Sequence, residues 1–130
     1  MCLASIVMSE ASGAQIVDFR SSTPEITRSK PPQERLLAGS PEHTARNFFS
    51  DATGRFFAGV WESSPGRWRV TYSEIEFCHI TQGRVAIEDD QGRRWDFKAG
   101  DSFVIASGFS GTWHVTESLR KLYVIYEPAS

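Results

Sequence analysis

Glu76 and Cys78 stand two residues apart in an apolar run, Glu76-Phe-Cys-His-Ile, and Arg67-Trp-Arg-Val-Thr-Tyr72 alternates just before it. On an extended strand, side chains two apart share a face. Trp68, Val70 and Tyr72 therefore lie on one face of the first segment, turned to the same side as Glu76 and Cys78 in the second. A carboxyl turned into an apolar interior has two uses. Burial raises its pKa and makes it a general acid or base; alternatively it is a buried acceptor met by the Tyr72 hydroxyl, Arg69 or a backbone amide. Both readings stand at this point, with Glu76 the candidate catalytic residue. Tyr72, Glu76, Cys78, Trp113 and Val70 are the candidate ligand-binding residues.

A nucleophilic thiol needs a histidine or a cation beside it to lower its pKa. His79 points away from Cys78 by parity, so Cys78 is read as a core residue. The three histidines do not converge. His79 falls on the outer face of its strand, His114 is out of phase with Gly111, Trp113 and Val115, and His43 lies among prolines. A divalent ion needs three or four inward donors at fixed geometry, and none is expected here: metal, none; cofactor, none. Trp61, Trp68 and Trp113 are large for a small β domain and serve as core filling or as the apolar floor of a pocket. Arg120-Lys121 reads as a solvated basic pair.

The elements that must position these residues are short strands. Asn47-Phe-Phe, Arg55–Glu62, Arg67–Tyr72, Glu76–Thr81, Arg84–Glu88, Arg94–Phe97, the run from Lys98 through Ile105, Thr112–Thr116 and Leu119–Tyr126 are β-rich segments separated by turn signals. Gln82-Gly83 reads as the turn of a tight hairpin. No stretch shows a capped 3.6-residue period, so little helix is expected. Strands at this spacing make a sandwich or barrel. Residues 9–46, rich in Ser, Thr, Pro and Glu, read as an extended arm in which Gln15-Ile-Val-Asp-Phe19 could add an edge strand. The division expected is an arm over 1–46 and a folded domain over 47–130.

With 130 residues, 40% hydrophobic and 12% aromatic, the chain can bury a core without staples. Its net charge of −2 gives no broad positive field for nucleic acid. Two cysteines, Cys2 and Cys78, suit a reducing compartment, and a cytoplasmic location is expected. The apolar start, Met1 to Met8, has no basic flank and is too short to span a membrane; Met8 is an alternative first residue.

Two segments resemble the cupin signature. Glu76-Phe-Cys-His-Ile-Thr-Gln-Gly83 reproduces E-x6-G, and Gly100-Asp-Ser-Phe-Val-Ile-Ala-Ser-Gly108 reproduces the second motif through its central glycine, with Ala106 in the usual proline position. More narrowly, EFCHITQGRV, GDSFVIASGFSGTW and VTESLRKLYVIYE are similar to the cupin domain of ureidoglycine aminohydrolase. The resemblance implies an all-β, double-stranded β-helix or jelly-roll sandwich. It also implies that the metal-binding positions of the fold are Val70 and Tyr72 (or Arg69 and Thr71 under a longer spacing), Glu76 and Gly111, so that only the glutamate is kept. The leading expectation is a pocket for a small organic ligand without a conventional metal site. The alternatives are a metal-assisted hydrolase of a ureido or amino compound, and a non-catalytic structural or regulatory protein. Cupins of this size resemble one another in pairing as homodimers, so a homodimer is expected as well.

Overall fold

The computed structural model describes residues 15–129, so Cys2 and both candidate first residues lie outside the described part. Nine strands and a single 3₁₀ turn make up its regular structure: β1 Glu25–Ser29, the turn Gln33–Arg35, β2 Leu36–Gly39, β3 His43–Ser50, β4 Phe56–Ser63, β5 Gly66–Thr71, β6 Ile75–Asp89, β7 Arg94–Lys98, β8 Ser102–Ile105 and β9 Ser110–Tyr126. All pairings are antiparallel. No helix among the described residues is long and apolar enough to cross a membrane.

The long strands β6 and β9 run side by side and organise the rest. The second half of β9, Leu119–Tyr126, pairs with β4 on one side and with Ile75–Ile80 of β6 on the other. Its first half, Ser110–Val115, pairs with β5 and with Val85–Asp89 of β6. One face of the fold therefore reads β1-β3-β4-β9-β6-β8 and the other β2-β5-β9-β6-β7. This is a jelly-roll sandwich whose two layers share the two long strands.

The shared strands change layer at Gln82–Arg84, where the β6–β9 register slips. Gly83 there has φ 91°, and a side chain on it would collide with the backbone carbonyls of Ser118 and Glu117. Gln82-Gly83 is therefore a bulge that bends one strand, not the turn of a hairpin as its composition suggested. Bulges carry a strand around a sandwich corner in this way. Thr112–Thr116 and Leu119–Tyr126 are likewise one strand.

The proline-rich segment is built into the sheet. Gln15–Phe19 forms no strand; the edge strand is β1, which pairs with β3 from Glu25↔Asn47 to Ser29↔His43. Pro24 and Pro31 bracket β1, in keeping with the confinement of proline to strand ends and edges. Pro41 is fully buried and packs on the Cβ-less face of Gly66, where a Cβ would come within 2.5 Å of its ring. The sheet thus begins before residue 47: β3 starts at His43, and β1 and β2 come from the segment read as an arm.

The inner faces follow the two-residue period. On β6, Glu76, Cys78 and Ile80 are buried while Phe77 is exposed; on β9, Trp113, Val115, Leu119, Lys121, Tyr123 and Ile125 are buried. One core cluster draws Trp68, Cys78, Ile80, Ile87, Ile105 and Trp113 from both layers. Burying each such large apolar side chain contributes about 1.5–3 kcal/mol.

Candidate functional site

A cavity of about 530 Å³ opens at one end of the sandwich. Its floor is polar and its wall aromatic. The floor is set by Glu76 on β6 and Lys121 on β9. Lys121 Nζ lies 2.7 Å from Glu76 Oε2, and both side chains are about 95% buried, at 4% and 5% exposure. The other carboxylate oxygen, Oε1, accepts a hydrogen bond from the Tyr72 hydroxyl at 2.9 Å. Both oxygens of Glu76 are thus occupied by donors. The structure brings together the buried-acceptor reading of Glu76 with one partner that the sequence indicated, Tyr72, and one that it did not, Lys121.

Lys121 is placed by register. It sits directly across the β4–β9 ladder from Trp61, and Ala45 on β3 faces Trp61 from the other side. Its ammonium lies 4.7 Å from the Trp61 ring centroid and 4.4 Å from that of Trp113, so two indole faces and one carboxylate surround it. The reading of Arg120-Lys121 as a solvated pair is corrected: Arg120 is exposed, Lys121 is not. Burial disfavours the Lys121 ammonium, but the sulfur of Cys78 and the carboxylate of Glu76 outweigh it and hold the pKa above the usual lysine range. Of these two, Glu76 is the effective partner, because burial pushes the Cys78 thiol far up and keeps it protonated. Cys78 Sγ lies 3.5 Å from Lys121 Nζ, behind the lysine and fully buried. It is not part of the cavity lining. Burial, followed by the charge of Glu76, also raises the Tyr72 pKa well above its usual value, so the phenol stays a donor.

The aromatic wall is formed by Trp61, Trp68 and Trp113, with Val70 and Tyr72 beside them. Trp68 and Trp113 face each other across the β5–β9 ladder and stack at 6.3 Å with 27° between ring planes. The imidazole of His43, on β3, completes the wall. It contacts Trp61 at 4.8 Å and Trp68 at 4.7 Å between ring centroids. Burial first, then the charge of Lys121, lowers the His43 pKa to about 4, leaving a neutral ring at physiological pH. His43 is a site residue that sequence reasoning missed. Two buried polar atoms of this wall, His43 Nε2 and Trp113 Nε1, have no hydrogen-bond partner among the described residues.

The mouth belongs to the N-terminal segment. Thr27, Ser29, Lys30, Pro31, Pro32 and Arg35 line it, facing Arg69 and Glu74 from the β5–β6 side. Arg69 is bound to Asp90 at 2.8 Å and to Ser110 at 3.1 Å. His79, hydrogen-bonded to Ser102 at 2.7 Å, and His114, exposed, lie off the cavity.

The donor set does not fit a divalent metal. Of the four ligand positions of the fold, only Glu76 carries a ligating group of the usual kind, and its carboxylate is already neutralised by the Lys121 ammonium. Among the described residues no group of three or more His, Cys, Asp and Glu is placed to hold an ion. Gly111, at the position of the last histidine, pairs tightly against β6; a side chain there would run into the Glu88 carbonyl oxygen and come 2.9 Å from Asp89 Cα.

The family profile of the EutQ-like cupin domain matches residues 50–123, more than half of the chain. The chain belongs to the EutQ-like cupin family. Among solved structures, this cupin is similar to a protein of unknown function of the DUF861 family from Pseudomonas syringae pv. tomato (24% identity, TM-score 0.72, covering 82% of this chain and 45% of that one). It is also similar to the Clostridium difficile EutQ protein (22%, 0.60, covering 67% and 64%) and to a putative ethanolamine utilization protein from Salmonella typhimurium (16%, 0.60, covering 83% and 100%). The chain thus spans less than two thirds of the first two. Identities this low establish a shared cupin fold, and no curated protein matches the sequence.

Proposed function

We propose that this cupin binds a small organic molecule in the cavity above the Lys121–Glu76 pair, using a side-chain cation in place of a metal. One observation carries the reading: an open cavity of about 530 Å³ ends on a buried, hydrogen-bonded ion pair. Ligand pockets commonly have this size and this mixture of apolar wall and few fixed polar groups. Glu76 acts here as an anchor that holds the ammonium and the phenol in place.

The hydrolase alternative, implied by the likeness to ureidoglycine aminohydrolase, draws its water-activating power from a metal. The donor set around Glu76 does not support that reading.

Three of the four tryptophans line the cavity and Trp95 lies outside it, which supplies the test. In the Trp95→Phe protein all indole emission comes from the wall. Titration with a metabolite library is expected to give compounds that change this emission and raise the melting temperature together. Val70→Phe, which narrows the cavity, should abolish both responses while the far-ultraviolet circular dichroism is kept. If the library leaves emission and melting unchanged, or if binding survives in Val70→Phe, the reading is wrong.

A further inference from the structure

The charges and shape of the cavity define a ligand class. We infer, building on the ligand-binding reading above, that the occupant is a flat, one- or two-ring carboxylate, its ring against the tryptophan wall and its carboxylate at the mouth beside Lys30 and Arg35.

Among the described residues four cations line the cavity, Lys30, Arg35, Arg69 and Lys121, with two carboxylates, Glu74 and Glu76. Lys121 and Glu76 neutralise each other at 2.7 Å, and Arg69 is met by Asp90 outside the cavity. At the mouth the described lining carries Lys30 and Arg35 beside the single carboxylate of Glu74, a balance in favour of an anion. Low-dielectric walls focus such a field on whatever enters. Arg35 is only lightly held from its own side, by a 3.4 Å contact from Nη2 to Thr71 Oγ1, and its guanidinium fork suits a carboxylate.

An aromatic cage can also receive a cation, but this one already contains its cation. The Lys121 ammonium lies over Trp61 and Trp113 at 4.7 and 4.4 Å, and a second positive charge between the same rings would meet its repulsion in a poorly screened site. The π faces left to a ligand are better used by stacking. A ring laid against the half-buried Trp61, beside Val70 and Tyr72, buries apolar surface in the cavity.

The probes are benzoate, 4-hydroxybenzoate and indole-3-carboxylate, each compared with its carboxamide and with benzyltrimethylammonium, by calorimetric titration of the full chain. The carboxylates are expected to bind about tenfold or more tightly than their carboxamides and to weaken as salt is raised. Lys30→Gln/Arg35→Gln, two changes at the solvent-facing mouth, should remove that advantage and leave carboxamide binding unchanged. Equal binding of carboxylate and carboxamide, or preference for the ammonium, overturns the inference and leaves the ligand pocket standing. If no ring compound of any charge binds and the metabolite library is also without effect, the pocket reading falls with it.

Discussion

Lys121 and Glu76 form a salt bridge of 2.7 Å at the closed end of the barrel, with side-chain exposures of 4% and 5%. Two charges removed from water in this way attract each other strongly, but each carries a desolvation penalty of several kcal/mol. The pair is held because every strong donor and acceptor is used: Oε2 by the ammonium, Oε1 by Tyr72, and the remaining sides of the ammonium by two indole faces and the Cys78 sulfur. The geometry is that of a preorganised polar floor.

Removing one member should hurt far more than removing both. Lys121→Met leaves a buried carboxylate without its cation and is expected to lose about 3–5 kcal/mol of stability. Glu76→Gln leaves a buried ammonium and should lose a similar amount. In Lys121→Met/Glu76→Gln neither charge remains, and the loss should be clearly smaller than the sum of the two. Urea unfolding of the four proteins closes the cycle; additive losses would show that the two groups are not coupled.

The same ammonium argues against metal loading. Protein purified without chelator should contain no stoichiometric manganese, iron, nickel or zinc by elemental analysis. Adding each ion should leave the melting temperature unchanged, because an ion that binds only the folded state would raise it. Putting the family histidine back is not expected to help: Gly111→His would drive a side chain into the Glu88 carbonyl, and even Gly111→Ala should cost about 1–3 kcal/mol or more. A stable, metal-loaded Gly111→His protein would refute this account.

The jelly roll and the inner face of β6 were legible because alternation survives along regular strands: Trp68, Glu76, Cys78 and Trp113 all point where a period of two puts them. Lys121 carried the same signal, lying in phase with Leu119, Tyr123 and Ile125, but its charge suggested solvent. His43 was hidden differently. Four prolines made its surroundings look like a loop, and the pairing that orders β3, with β1 on one side and β4 on the other, is long-range and leaves no local trace. Gln82-Gly83 has the composition of a hairpin turn, and only the collision of a Gly83 side chain with the Ser118 backbone distinguishes a bulge from a reversal.

His43 should make stability depend on pH in a defined window. Its folded pKa, about 4, lies below its ordinary value of 6.5, so the unfolded chain binds the proton more readily. The contribution of the neutral ring is complete above pH 6.5 and is lost as pH falls toward 4. Linkage makes that loss about 2 kcal/mol once partial exposure of the ring is allowed for. The carboxylates Asp51, Asp89 and Asp90, whose pKa values are lowered from 3.8, titrate below this window. Unfolding free energies of the wild type and His43→Phe at pH 7 and pH 4.5 should therefore converge differently: the wild type loses stability over that range and the variant loses less. Parallel pH profiles would remove His43 as the cause.

Cys78 provides a chemical check on the floor of the cavity. Although an ammonium stands 3.5 Å from its sulfur, burial raises the thiol pKa far above neutrality, and the side chain has no exposure. Reactive cysteines need thiolate character and access, and Cys78 has neither. In a Cys2→Ser background, where only Cys78 remains, the native protein should not react with a disulfide reagent at pH 7.5 over hours, and should react fully in denaturing urea. Lys121→Met, which deletes the covering side chain's charge but keeps a chain of similar length, should leave the native thiol equally silent. Rapid labelling of the folded Cys2→Ser protein would mean that the barrel floor opens to solvent, and that Lys121 and Glu76 are not a closed pair.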